Sequence, residues 1–392
     1  MRVLHIIPSL SPACGGPSFA LPSMARALSS AGVLVDVVTT NDDGPGRRNQ
    51  FDVSGVPAQF DGFRVFYFQK QTEFYKVSLP LFGWLLRNVQ NYDLVHVHAV
   101  FSFSSMAAAW ACSLKGVPYI IRPLGVLGWG MHHRRRRLKA LSFRLLDKPV
   151  LDRAAAIHYT SRQEQDDAAQ LGLCARPVVI PLGFDLSAFQ TLPPVDVFLS
   201  RFPQAVDKKI CLYLSRLDPK KNVESLLEAF AALHAGNVLL VIAGGGEKAH
   251  VEHLQKRSVE LGIAHNVLWA GHLDGELKLS AMAAASLYVL PSLAENFGIA
   301  LLEAMAAARA CVSTPRVALA AEAAKEDAVL LSEVDSDSLA SSIKMILEDS
   351  AKATSLALNA ASLVRKKYSA DSMAAALIQL YKACIDSHSS RS

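Results

Sequence analysis

The chain has 392 residues, a length that outgrows one ordinary hydrophobic core and suits two α/β domains. Hydrophobic residues make up 51% and charged residues 19%, which describes a well-buried globular protein and excludes a disordered one. With 40 basic against 35 acidic side chains the net charge is only +5, too slight a bias to argue for nucleic acid, and much of the excess sits around residues 132–148.

Short apolar or β-branched runs alternate with amphipathic stretches from the start. Val3–Ile7 reads as a strand, followed by the turn Cys14-Gly15-Gly16-Pro17-Ser18 and a helix with Leu21, Met24 and Leu28 on one face. Strands follow at Val33–Thr39, Phe63–Phe68, Leu94–His98, Tyr119–Arg122, Ala156–Thr160 and Val178–Pro181. Ala99–Leu114 is too short and too rich in Ser and Ala for a membrane span and reads as a buried helix. The rhythm stalls between Leu186 and Lys209, where Pro193, Pro194 and Pro203 mark a linker. It restarts with the strand Ile210–Leu214. Asn222 then caps a helix whose Val223, Leu226, Leu227 and Phe230 form an apolar stripe. Strands at Val238–Ala243, Val267–Ala270 and Leu287–Leu290 and a helix at Ile299–Ala308 complete the pattern. This βαβ alternation implies parallel sheets with helices on both faces, in two doubly wound domains. The expected division is 1–190, a linker at 191–209, 210–371, and a terminal helix and tail at 372–392.

Six scattered cysteines form no C-x-x-C pair and read as thiols in a reducing compartment. The first eight residues lack the features of a signal peptide. The sequence therefore predicts a cytoplasmic protein, attached at most to the inner face of a membrane.

The segment Pro291-Ser292-Leu293-Ala294-Glu295-Asn296-Phe297-Gly298-Ile299-Ala300-Leu301-Leu302-Glu303 carries the strongest chemical signal. It follows a strand and enters a helix, so free backbone N–H groups and the helix dipole favour an oxygen-rich or anionic ligand near residues 295–299. Gly298 lets a ligand approach the backbone. Glu295 and Glu303 are eight positions apart, and helical residues between them would offset the carboxylates by about 12 Å along the axis. A retaining glycosidase needs its pair about 5–5.5 Å apart, so these two read as separate contacts along one extended ligand.

This segment resembles the E-x7-E motif of the retaining family 4 glycosyltransferases (group 1), which have the GT-B fold of two Rossmann-like α/β domains facing a central cleft. Leu214-Ser215-Arg216-Leu217-Asp218-Pro219-Lys220-Lys221-Asn222 is similar to the family's GRL-x-x-x-KN element, with Ser215 where Gly is usual. The resemblance implies that Arg216 and Lys221 hold a nucleotide diphosphate. Fixed cations would then stabilise the leaving group with no metal and no cofactor. It implies further that Glu303 holds the ribose and that Glu295, Asn296, Phe297, Gly298 and Ile299 position the donor sugar. Asp93-Leu94-Val95-His96-Val97-His98 resembles a strand ending in an active-site histidine that contacts the sugar. His98 aligns with that residue, and His96 points to the same side of the strand. Gly15 and Gly16 resemble the family's glycine loop, Gly244-Gly245-Gly246 its strand end near the nucleotide, and Pro181-Leu182-Gly183-Phe184-Asp185 a further match before the linker. The terminal helix near Ser372–Ser387 is implied to cross back to the first domain. After the helix the chain departs from the family's glycine-rich text, with Arg309-Ala310-Cys311-Val312-Ser313-Thr314 and Val317–Glu322 in its place.

Residues 132–146 are basic, with Arg134, Arg135, Arg136 and Arg137 ahead of Leu138, Leu141 and Leu145 at helical spacing. The patch suits an anionic membrane surface or a lipid-diphosphate acceptor as well as a solvated helix. Arg122 and Trp129 on the preceding glycine-rich stretch suit a sugar or phosphate contact. The resemblance thus implies transfer of a sugar, with retention, from a nucleotide sugar to a glycan or lipid-linked acceptor in cell-surface glycan assembly. A nucleotide-sugar epimerase or phosphorylase on the same fold, and a degenerate glycan- or partner-binding protein, are the alternatives.

Overall fold

A computed structural model describes residues 1–14, 16–127, 143–233, 236–295 and 297–390. Residue contacts divide the chain into two units, Met1–Asp185 with Lys367–Ser392, and Leu186–Lys366.

The first unit is built on strands β1 (Arg2–Ile6), β2 (Leu34–Thr40), β3 (Ala58–Phe60), β4 (Phe63–Phe68), β5 (Leu94–His98), β6 (Tyr119–Arg122), β7 (Ala156–Tyr159) and β8 (Pro177–Val179). Their order is β3-β4-β2-β1-β5-β6-β7-β8. All pairs are parallel except β3, which adds to the edge antiparallel to β4. Alternate residues enter opposite cores, as the twofold repeat of a strand requires. Leu4 and Ile6 pack under the helices Leu79–Asn88 and Phe103–Lys115, whereas Val3 faces the helices Gly16–Ser30 and Ala370–Ser389. Pro22 lies inside Gly16–Ser30.

The last helix belongs to this first unit, with Met373, Leu377 and Tyr381 buried in its core. The Pro181–Asp185 segment receives it. Phe184 N–H donates to Tyr368 C=O at 2.9 Å and Ala370 N–H donates to Phe184 C=O at 2.9 Å. Gly183 is needed there because a Cβ would lie 2.7 Å from Met373 Cβ and 2.8 Å from Ala370 Cα.

The second unit contains β9 (Lys209–Leu214), β10 (Val238–Ala243), β11 (Val267–Gly271), β12 (Ala285–Leu290), β13 (Ala310–Ser313) and β14 (Leu330–Leu331). They form a parallel sheet in the order β11-β10-β9-β12-β13-β14. The chain winds outward from β9 in both directions, so the switch point lies between β9 and β12. The stripe Val223, Leu226, Leu227 and Phe230 is buried as its spacing requires.

Several local expectations need correction. Residues 186–209 belong to the second unit and are not a free linker. Helix Asp196–Arg201 buries Phe198, whose N–H donates to Ser280 Oγ at 3.0 Å. Asn222 holds the N-cap position, but its side chain accepts no backbone N–H of the helix. It sits in the left-handed region (φ 57°), its Oδ1 accepting from Ser225 Oγ at 2.8 Å and its amide donating to Val334 C=O at 2.8 Å. The helix begins at Ile299, after Glu295, Phe297 and Gly298, so the 12 Å helical offset does not apply to the whole Glu295–Glu303 spacing. The β3, β13 and β14 strands were not expected, being two to four residues long. Among the described residues no helix is long and apolar enough to cross a membrane.

Candidate functional site

The carboxyl ends of β9 and β12 flank the switch point of the second unit, where open α/β sheets leave a crevice for ligands. The loop after β9 is tied down from beneath. Tyr213 Oη donates to Arg216 C=O at 2.7 Å and Tyr288 Oη donates to Leu214 C=O at 3.0 Å, both phenols being wholly buried. From the neighbouring strand end, Leu217 N–H donates to Gly245 C=O at 2.8 Å. This crossing demands glycine: a Cβ on Gly244 (φ 145°) would fall on the Ser215 carbonyl, and one on Gly246 on the Leu217 carbonyl.

Across the switch point, Lys221 Nζ bonds to the Glu295 carboxylate. Lys221 is nearly buried and Glu295 is partly open, while Arg216 is exposed on the loop that carries Lys221. Leu293 N–H donates to Lys220 C=O at 2.8 Å, so the backbone links the same two loops. Glu295 is fixed from its other side, its N–H donating to Arg316 C=O at 3.1 Å and its C=O accepting from Ala318 N–H at 3.3 Å. Thus the stretch that begins at Val317 closes the loop by backbone bonds, Val317 N–H donating to Thr314 C=O at 3.1 Å as well. Gly298 (φ 97°) accommodates Val317, whose Cγ1 would lie 2.8 Å from an added Cβ. Phe297 is half-buried, and Ile299 is exposed at the start of its helix. Inside that helix Glu303 accepts from Lys278 Nζ at 2.8 Å.

The structure therefore gathers Arg216, Lys221, Glu295 and Gly298 at one switch point, with Gly244 buttressing the first loop. Sequence reasoning missed Tyr213, Tyr288 and Lys278. The tyrosines left a trace, each being the one aromatic residue of its strand. Gly15, Asn296, Trp129 and Arg134, Arg135, Arg136 and Arg137 lie outside the described residues. Gly16 opens the helix Gly16–Ser30 and is exposed.

His98 and Arg122 are placed differently from the expectation of ligand contacts. Register pairs His5 with His96 and His98 with Arg122, and the side chains meet in a polar layer that also takes in His158 and Tyr381. His5 Nδ1 and His98 Nε2 are 2.9 Å apart, His96 Nδ1 and Tyr381 Oη 2.8 Å, and His158 Nδ1 and His96 Nε2 3.3 Å. All four imidazoles are wholly buried, so in this conformation neither His98 nor His96 offers a nitrogen to a sugar. Arg122 is likewise buried, with Nε and Nη1 unpartnered among the described residues.

Burial, reinforced by the Arg122 charge, depresses the pKa of His5 to about 3 and lowers those of His98 and His96 well below the ordinary value. It holds His158 at about 3 and draws Arg122 down to about 10. The layer therefore carries neutral imidazoles and one cation at neutral pH. Nitrogens of His5, His96 and His98 lie within 4.8 Å of one another, a spacing one metal ion could bridge. The donor set fits a metal poorly. His5 Nδ1 and His98 Nε2 already share a hydrogen bond with each other, and the guanidinium charge of Arg122 repels a second cation.

The chain can now be compared with known proteins. The family described as "Glycosyl transferases group 1" matches residues 198–363, and that described as "Glycosyl transferase 4-like domain" matches residues 15–183. An uncharacterized glycosyltransferase of Methanocaldococcus jannaschii is 31% identical over 189 residues, 46% of each chain, so this match spans less than half of either protein. A GDP-mannose:cellobiosyl-diphosphopolyprenol alpha-mannosyltransferase of Komagataeibacter xylinus is 26% identical over 78% of this chain and 74% of its own. The Anabaena protein HepE, solved in complex with UDP, superposes with a TM-score of 0.74 at 20% identity, covering 98% of this chain and 100% of its own. At that identity the likeness speaks for the fold, which is GT-B.

The buried layer makes a pH prediction. In the unfolded chain each histidine takes up a proton below about 6.5, and in the folded chain it cannot until far lower pH, so stability is full above that value and falls as pH drops. At pH 5, His5 and His158 should each cost about 2 kcal/mol. Hydrogen-exchange opening energies of β1 and β5 amides should fall by several kcal/mol between pH 7 and pH 5. Unchanged energies would contradict the assignment of neutral imidazoles.

Proposed function

This chain belongs to the group 1 glycosyltransferases, and we propose that it moves a sugar from a nucleoside-diphosphate donor to a hydroxyl of a glycan or lipid-linked acceptor, with retention at the anomeric carbon. The observation that carries this reading is the pairing of Lys221 with Glu295 across the switch point, with exposed Arg216 on the same loop as Lys221. A departing diphosphate gathers negative charge, and two cations on a backbone-braced loop meet that charge as it develops. This assigns leaving-group stabilisation to Arg216 and Lys221 and calls for no metal. Glu295 takes the sugar hydroxyls once the diphosphate engages Lys221, and Glu303 accepts from the ribose. Amides near Gly298 and Ile299 serve the same oxygen-rich ligand. His98 enters as a buried support at the end of β5.

The donor is sought with UDP-glucose, UDP-N-acetylglucosamine, GDP-mannose and ADP-glucose, against polyprenyl-diphosphate-linked saccharides. One donor should be consumed only when an acceptor is present and give a product of the donor's anomeric configuration by NMR. The same donor at 100 times its dissociation constant should stabilise the protein by about 2.7 kcal/mol, and Glu303→Ala should lose that stabilisation. Acceptor-independent conversion of the donor to an isomer would contradict transfer. Absence of any nucleotide-sugar stabilisation would point to a binding protein.

The acceptor reading extends to an anionic membrane surface. Helices Leu79–Asn88 and Phe103–Lys115 expose Leu79 (59%), Trp110 (45%) and Leu114 (72%), linked through the Phe82–Trp110 ring contact. The two helices carry Arg87 and Lys115 and no acidic residue. An apolar face with only positive charge suits the boundary of an acidic bilayer. Affinity for phosphatidylglycerol vesicles, read by sedimentation, should fall about a hundredfold or more in a Trp110→Ser, Leu114→Ser variant at unchanged melting temperature, since each buried apolar side chain is worth about 1.5–3 kcal/mol. Equal affinity of variant and parent would rule this face out as the membrane contact.

A further inference from the structure

Lys278 lies in the first turn of the helix Gly275–Ala284, and its Nζ donates to Glu303 Oε1 at 2.8 Å. Both side chains keep an open edge, 25% and 22% exposed, so the pair is neither sealed in the core nor freely solvated. The helices that carry them precede and follow β12, the strand bordering the switch point. Among the described residues, Glu303 Oε1 is the partner found for Lys278 Nζ, and Glu303 Oε2 has none. An ammonium has three N–H donors and a carboxylate several acceptor sites, so the pair retains both a donor and an acceptor toward the opening. Vicinal hydroxyls present that complement, one donating to Oε2 and its neighbour accepting from Nζ.

We propose that Lys278 and Glu303 act together as a clamp on the two ribose hydroxyls of the donor, Lys278 also fixing the rotamer of Glu303. The proposal rests on the reading in which Glu303 faces the ribose, and it adds a specificity residue on a different helix. It requires the nucleotide to be recognised as a ribonucleotide through the pair and not through Glu303 alone.

The test is calorimetric titration of the full chain with UDP and GDP and with their 2′,3′-dideoxy counterparts, for the parent, Lys278→Met, Lys278→Arg and Glu303→Gln. The parent should bind the better ribonucleotide about tenfold to a hundredfold more tightly than its dideoxy form, the equivalent of one or two charge-assisted hydrogen bonds. Lys278→Met should lose most of that preference while binding the dideoxy form like the parent, and Lys278→Arg should restore it in part. A Lys278→Met loss equal for both forms would overturn the clamp, since a structural or phosphate role weakens both alike. An undiminished preference in Lys278→Met, with the preference lost in Glu303→Gln, would also overturn the clamp and leave the ribose assignment of Glu303 standing. A full preference in Glu303→Gln would overturn that assignment itself. A melting temperature within a few degrees of the parent identifies the variants that report on binding.

Discussion

The ion pair between Lys221 and Glu295 is the constraint around which the second unit's site is arranged. It joins the loops that leave β9 and β12, the two strands between which the winding of the sheet reverses. Neither charge is fully hydrated there, so each would be costly without the other. The backbone bond from Leu293 to Lys220 and the buried phenols of Tyr213 and Tyr288 hold the loops in register beneath it. A ligand anion that reaches Lys221 finds it already paired. It must compete with Glu295 for Lys221, and that exchange would couple capture of a diphosphate to release of a carboxylate toward the adjoining sugar.

The first unit solves a different problem. Its central strands carry His5, His96, His98, Arg122 and His158 into a core whose other members are mostly aliphatic and aromatic. Burial keeps the imidazoles neutral, so they bond to one another and to Tyr381 of the last helix. Those bonds are directional, and they fix where the returning helix docks in a way that apolar contact alone would not. Gly183 reinforces the same docking by leaving room for Met373 and Ala370.

Much of this was legible in the sequence where chemistry follows directly on a strand. Arg216, Lys221 and Glu295 follow apolar runs whose length and whose flanking Pro219 and Pro291 mark strand ends, so their placement at the carboxyl edge of the sheet could be read. The twofold repeat put His96 and His98 on one side of their strand, but it could not say whether that side meets solvent or the last helix. That depends on Tyr381, 285 residues away from His96. The Lys278–Glu303 pair was invisible for the same reason: its partners lie on separate helices 25 residues apart, and only the packing around β12 brings them together. Helix Asp196–Arg201 was hidden because its six residues are too short for a period and lie among prolines.

The exchange at Lys221 is open to calorimetric titration of UDP and GDP onto the parent, Lys221→Met and Glu295→Gln. Lys221→Met should weaken the diphosphate at least tenfold, having lost a charge-assisted contact. Glu295→Gln should bind the same diphosphate at least as tightly as the parent, because Lys221 no longer has to leave a charged partner. Unchanged binding in Lys221→Met, or a loss in Glu295→Gln as large as in Lys221→Met, would contradict the exchange.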